Sequence, residues 1–170
     1  KNRMRLALEG VVSGNRTGRD YANTIIGRIE EIASYGGKLE FFTWDGMMFR
    51  SFYSTTATPP GAFRTVDEGL EAVAEATKLI KDKYPNFEII PLPNLPNWNV
   101  LDANGNIVPY NASNFAGMTG VPSWNYLCDI YLAKIAQKGV SINYIEIDHP
   151  YFYYTKGRAT SAEFLCDLPT

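Results

Sequence analysis

Apolar positions recur along the chain with two periods, and the switches between them mark the elements. Met4 to Val12 is largely apolar, which predicts a strand buried within a mainly parallel sheet. The polar stretch SGNRTG, 13–18, turns the chain at the C-terminal end of that strand. Tyr21, Ile25, Ile29 and Ile32 then share one face at helical spacing, predicting a helix over 19–34. Thr17 with Asp20 three residues on has the form of a capping box, and Gly36-Gly37 stop the helix. KLEFFTWDGMMFRSFYS follows, two aromatic-rich runs flanking Asp45-Gly46. That pattern predicts a hairpin with strands at 38–43 and 47–53.

Residues 54–64 read as a loop from their Thr, Pro and Gly content. A second helix is predicted from Thr65, where Glu68 completes another capping box, to a stop before Pro85. Its inward stripe is Leu70, Val73, Thr77 and Ile80. FEIIPL, 87–92, is a short apolar strand, and PLPNLPN after it is a stiffened, exposed loop. VLDANGNIVPY reads as a small hairpin turning at Asn104-Gly105. A third helix opens at Pro122-Ser123 and runs through Gln137, with Leu127, Tyr131 and Ile135 inward and a C-cap at Lys138-Gly139. VSINYIEID, 140–148, alternates as a strand; YFYYT, 151–155, is a further candidate. Thr160 with Glu163 caps a short last helix. This order predicts an α/β fold: a mostly parallel sheet, helices on both faces and one antiparallel edge hairpin.

Composition narrows the class. A chain of 170 residues reads as one domain, 1–170, with a full core. A formal net charge of -2 gives no basic face for nucleic acid. No apolar run is long enough to span a bilayer. No signal peptide is recognisable, and the chain starts abruptly at Lys1, as a fragment would. Cys128 and Cys166 either pair or remain two buried thiols; neither has a CxxC neighbour of the kind zinc or redox sites use. Asn15-Arg-Thr17 and Asn111-Ala-Ser113 match the glycosylation sequon, which matters only in a secreted protein.

The order strand, helix, hairpin, helix, strand, helix, strand resembles that of a von Willebrand factor A domain, across roughly residues 3 to 155. The parts that carry the resemblance are RLALEGVVSGN, the helix at 19–34, FFTWDGMMFRSFY, GAFRTVDEGLEAVAEA and LAKIAQKGVSINYIEID. It implies a Rossmann-like three-layer sandwich. It also implies a Mg²⁺ site built from a DxSxS motif, a loop threonine and a second aspartate. Aligned here, the leading Asp falls on Val11, the two serines on Ser13 and Asn15, the threonine on Thr65, and the second Asp near Pro93-Asn94. Both carboxylates are missing, so a neutral oxygen set would face a doubly charged hard cation. No metal or other cofactor is therefore expected, and turn formation and helix capping are the expected roles of Ser13, Asn15 and Thr65.

The chain offers other candidate chemistry. Ser13 could be a nucleophile only with a base, and the single histidine is His149, after strand 140–148. That pairing defines the rival reading, a small α/β hydrolase or transferase. GNRTG with Arg16 and Arg19 at a helix start could cradle phosphate, but it is neither GxGxxG nor a P-loop. FYSTT, 52–56, resembles the Ser-Thr strand motif of ADP-ribosyltransferases, with Arg5 and Glu146 poorly spaced as its partners. Asp102, Asn104 and Asn106 alternate like a calcium loop, but position 113 is Ser where that loop needs Glu. Pro91, Pro93, Leu95, Pro96, Trp98 and the aromatic run 151–154 form candidate contact surface.

The leading expectation is a non-enzymatic domain that binds a protein partner through the loops at the C-terminal strand ends, 13–18, 54–65 and 93–99. Ser13, Asn15, Arg16, Arg64, Thr65, Asn94 and Trp98 are its candidate binding residues. A third reading is a structural subunit of a pilus or virus particle, which would make the chain an oligomer.

Overall fold

The computed structural model describes residues 6–11, 14–54, 61–92 and 124–146. The order is β1 (Leu6–Val11), α1 (Gly18–Ser34), β2 (Leu39–Asp45), α2 (Met47–Arg50), β3 (Tyr53–Ser54), β4 (Gly61–Ala62), α3 (Val66–Lys83), β5 (Glu88–Leu92) and α4 (Trp124–Gln137). It is a mixed α/β protein. β1, β2 and β5 form a parallel sheet with β2 in the middle: Phe42 sits opposite Leu8 on one side and Ile89 on the other.

The helices fall where the apolar stripes place them. Both capping boxes form, Thr17 with Asp20 and Thr65 with Glu68. Tyr21, Ile25 and Ile29 are buried on α1, while Ile32 at the last turn is half-buried. Leu70, Val73, Thr77 and Ile80 are buried on α3, as are Leu127, Tyr131 and Ile135 on α4. The parallel strands advance in one direction, and right-handed crossovers then put α1 and α3 on the same face. α1 packs on α3, and α3 on α4. A second helix layer on the opposite face, which a three-layer sandwich requires, has no counterpart among the described residues.

Alternate residues of β2 supply the centre of the core. Phe42 and Trp44 point at the helix layer, where the Trp44 ring meets Tyr21 edge-on at 6.3 Å and Phe42 at 5.8 Å. Gly10 is required on the neighbouring strand, because a Cβ there would lie 2.9 Å from the Phe42 ring. Trp44 is fully buried, and its indole Nε1 has no hydrogen-bond partner among the described residues. Its ring contacts offset that cost.

The predicted edge hairpin is corrected. Residues 47–50 form a turn of helix, and the flank of β2 that a hairpin strand would occupy is taken by β5 in parallel. The tight turn expected at Asp-Gly needs two successive residues with positive φ. Asp45 instead stays in the strand, paired with both Val11 and Leu92, and Gly46 alone turns left-handed at φ 58°. Met47, Met48, Phe49 and Phe52 are all buried. Three successive inward side chains do not fit a strand with one solvent face, but they do fit a helical turn lodged against α3 and α4. A small antiparallel ladder, β3 with β4, closes the connection, pairing Tyr53 at the end of the predicted strand 47–53 with Ala62 in the predicted loop.

The strand predicted at 140–148 is not formed over its described part, and 147–148 lie outside the described residues. Residues 140–146 are described, but without ladder assignment. Cys128 is buried and unpaired. Ser13, Asn94, Trp98, His149 and Cys166, the predicted hairpin at 101–110, the strand at 151–155 and the last helix lie outside the described residues.

Candidate functional site at the C-terminal ends of the strands

Parallel α/β sheets place binding sites beyond the carboxyl ends of their strands. Here that end carries the turn at 14–16, Asp45-Gly46 at the close of β2, and Phe63 to Thr65 ahead of α3. One side chain ties these pieces together. Arg64 donates through Nη2 to the Tyr21 hydroxyl at 3.0 Å, through Nη1 to the Arg16 carbonyl at 2.9 Å, and through Nε to the Ser51 carbonyl. The Tyr21 hydroxyl in turn donates to the Gly14 carbonyl at 2.5 Å. The guanidinium carbon also lies 5.5 Å from the Phe63 ring centre and 5.9 Å from that of Tyr21. A planar fork with five donors suits this role, since it can serve several acceptors at fixed angles.

The clasp follows from local structure. Tyr21 stands on the first full turn of α1, so its ring is core while its hydroxyl reaches back to the loop before the helix. Burial pushes the Tyr21 phenol above its usual range, with the Arg64 charge opposing the shift. The close approach of α1 and α3 needs Gly18: a Cβ there would sit 2.5 Å from the Ala72 carbonyl oxygen.

The two threonines are occupied. Thr65 Oγ1 accepts from the Glu68 N–H at 3.2 Å and donates to Glu68 Oε2 at 2.8 Å. Thr17 and Asp20 repeat the arrangement at 3.2 Å and 2.7 Å. Hydrogen bonds from Thr17 hold the Asp20 carboxyl below its usual range, and those from Thr65 do the same for Glu68. Both helix N-termini therefore carry a carboxylate already, which weakens them as phosphate cradles.

Of the predicted binding residues, the clasp brings Arg16 and Arg64 together and sets Thr65 beside them. Asn15 and Arg16 are exposed; among the described residues the Arg16 head reaches Thr24 Oγ1, at 3.5 Å. Asp45 pairs with Arg50 at 3.3 Å and is largely covered. Among the described residues no group of three His, Cys, Asp or Glu side chains is placed to hold a metal. A cleft of about 550 Å³, walled by Ile29, Leu39 and Phe87, lies at the other end of the sheet, where β2 and β5 begin. It shares no residue with the loops described here.

Sequence reasoning named Tyr21 only as a helix-core position. The available signal was its type: a buried tyrosine rather than phenylalanine needs a partner for its hydroxyl. Thr43 was missed as well. It is buried in the middle of β2, and its hydroxyl donates to Glu146 Oε2 at 3.1 Å.

Comparison with protein-family models, curated proteins and solved structures returns no match. No helix among the described residues is long and apolar enough to cross a membrane.

Proposed function

We propose that this protein is a non-enzymatic interaction domain. Its binding face is the C-terminal end of the sheet, with Asn15 and Arg16 presented outward on a loop fixed by Arg64 and Tyr21. The observation that carries the reading is the clasp itself. One guanidinium holds the loop before α1, the start of α3 and the Ser51 turn in a single rigid unit. A pre-ordered loop loses little conformational freedom on binding, which favours recognition by surface complementarity. The hydroxyls of Thr17 and Thr65 cap helices, so contact with a partner runs through exposed amide and guanidinium groups without a bridging metal. An Arg at the outer rim suits a carboxylate on the partner.

The test begins with a photo-crosslinking residue at position 15, and a control at Arg28 on the exposed far part of α1. A partner captured at 15 alone is purified and titrated calorimetrically. Arg16→Ala is expected to weaken its Kd by about tenfold, as for loss of one charge-assisted bond. An unchanged Kd removes this face from the account.

A further inference from the structure

We propose that residues 140–146 are a detachable strap along the outer edge of β5, kept marginal by Pro91. After α4 the chain runs beside β5 in the same direction. The Asn143 side-chain amide reaches the Glu88 carboxylate at 3.2 Å, and three residues on the Glu146 N–H donates to the Pro91 carbonyl at 3.0 Å. Val140 and Ile142 pack against the core, whereas Tyr144 and Ile145 are 55% and 45% exposed. The strap fills the place of a fourth parallel strand, yet it forms no ladder with β5 among the described residues.

Pro91 supplies one reason. In a parallel sheet each residue directs its N–H and C=O to one neighbour, and successive residues alternate sides. The Leu92 carbonyl accepts from the Gly46 N–H at the end of β2, at 3.4 Å. The preceding residue, Pro91, therefore faces the strap, as its bond to Glu146 shows. Its nitrogen faces the strap too, and carries no hydrogen. In a regular ladder that hydrogen would go to the Tyr144 carbonyl. The β2 side loses nothing, because Glu88, Ile90 and Leu92 serve it. Proline thus thins the outer edge alone, a known way to blunt a sheet edge.

A side chain does the latching. The Thr43 hydroxyl, in the middle strand, donates to the Glu146 carboxylate past β5 at 3.1 Å. Release of the strap bares the N–H and C=O of Ile89 and the C=O of Pro91, a short edge open to strand addition.

Native-state amide hydrogen exchange on the whole chain tests this. The Glu146 amide is expected to exchange on the order of a hundredfold faster than those of Thr43 and Trp44, through local opening. Pro91→Val restores the N–H and should slow the Glu146 amide about tenfold; Thr43→Val should speed it by a similar factor relative to the β2 amides. A Glu146 amide as slow as the β2 amides in the unaltered protein overturns the proposal, as does a folded Pro91→Val protein in which it is unchanged. Should Pro91→Val fail to fold, the unaltered protein and Thr43→Val decide the matter.

Discussion

The Arg64 guanidinium meets the Tyr21 hydroxyl at 3.0 Å, across 43 residues of chain. Through that contact the loop before α1 and the loop before α3 become one surface. Arg64→Ala leaves the Tyr21 hydroxyl and two backbone carbonyls without their charged donor. We expect it to lower unfolding free energy by about 2–4 kcal/mol, read by urea denaturation. Tyr21→Phe, which keeps the ring and removes the hydroxyl, should cost about 1–2 kcal/mol. Equal effects from the two variants would mean that Arg64 makes no independent contribution.

Glycines separate close approach from helix propensity. A Cβ at Gly18 would lie 2.5 Å from the Ala72 carbonyl oxygen, and one at Gly69 would lie 2.8 Å from Phe52 Cβ. Alanine at either should destabilise by about 1–3 kcal/mol. Gly27 faces open space on α1, so Gly27→Ala should stabilise by about 0.5–1 kcal/mol. Thermal melts of the three variants check the ordering.

Acid should weaken the fold through specific carboxylates. Hydrogen bonds from Thr17, Thr65 and Lys138 hold Asp20, Glu68 and Glu71 respectively below their usual values. A carboxyl depressed in the native state contributes stability that is complete above its unfolded value, roughly pH 4, and is lost as pH falls through the native one. Stability measured from pH 7 down to pH 2 should fall in that window. The fall should be shallower in Thr17→Ala, where Asp20 has lost its main partner.

Cys128 should be inert. Burial, reinforced by Asp129, raises its thiol to about 11. In a Cys166→Ser background a thiol reagent at pH 8 should label it only at the rate of unfolding, since the thiolate is the reacting form. Rapid native labelling would place Cys128 at an accessible surface.

Most of the helical layer was legible in the sequence, because its causes are local. Thr17–Asp20 and Thr65–Glu68 announce helix starts by spacing alone, and the stripe Leu70, Val73, Thr77, Ile80 announces the buried face. The end of β2 departs from its local signal. Asp45-Gly46 offered a strong turn signal, but parallel pairing to Val11 and Leu92, both distant in sequence, kept Asp45 in the strand. The clasp was half legible: Arg64 and Thr65 were placed at the right end of the sheet, but nothing local could show that Arg64 reaches Tyr21, or that Thr65 serves Glu68 before anything else. Thr43 with Glu146, 103 residues apart, left no local pattern at all.

We propose that the polar groups at this end of the sheet serve the fold and not a metal. Thermal melts of the unaltered protein and of Thr65→Ala, each with chelator and with excess Mg²⁺, test it most directly. A ligand bound only by the native state must raise its stability. The account predicts no Mg²⁺ shift, and a loss of about 1 kcal/mol from Thr65→Ala that is the same in both solutions, as for a lost N-cap. A Mg²⁺-dependent rise in Tm that Thr65→Ala abolishes would contradict it.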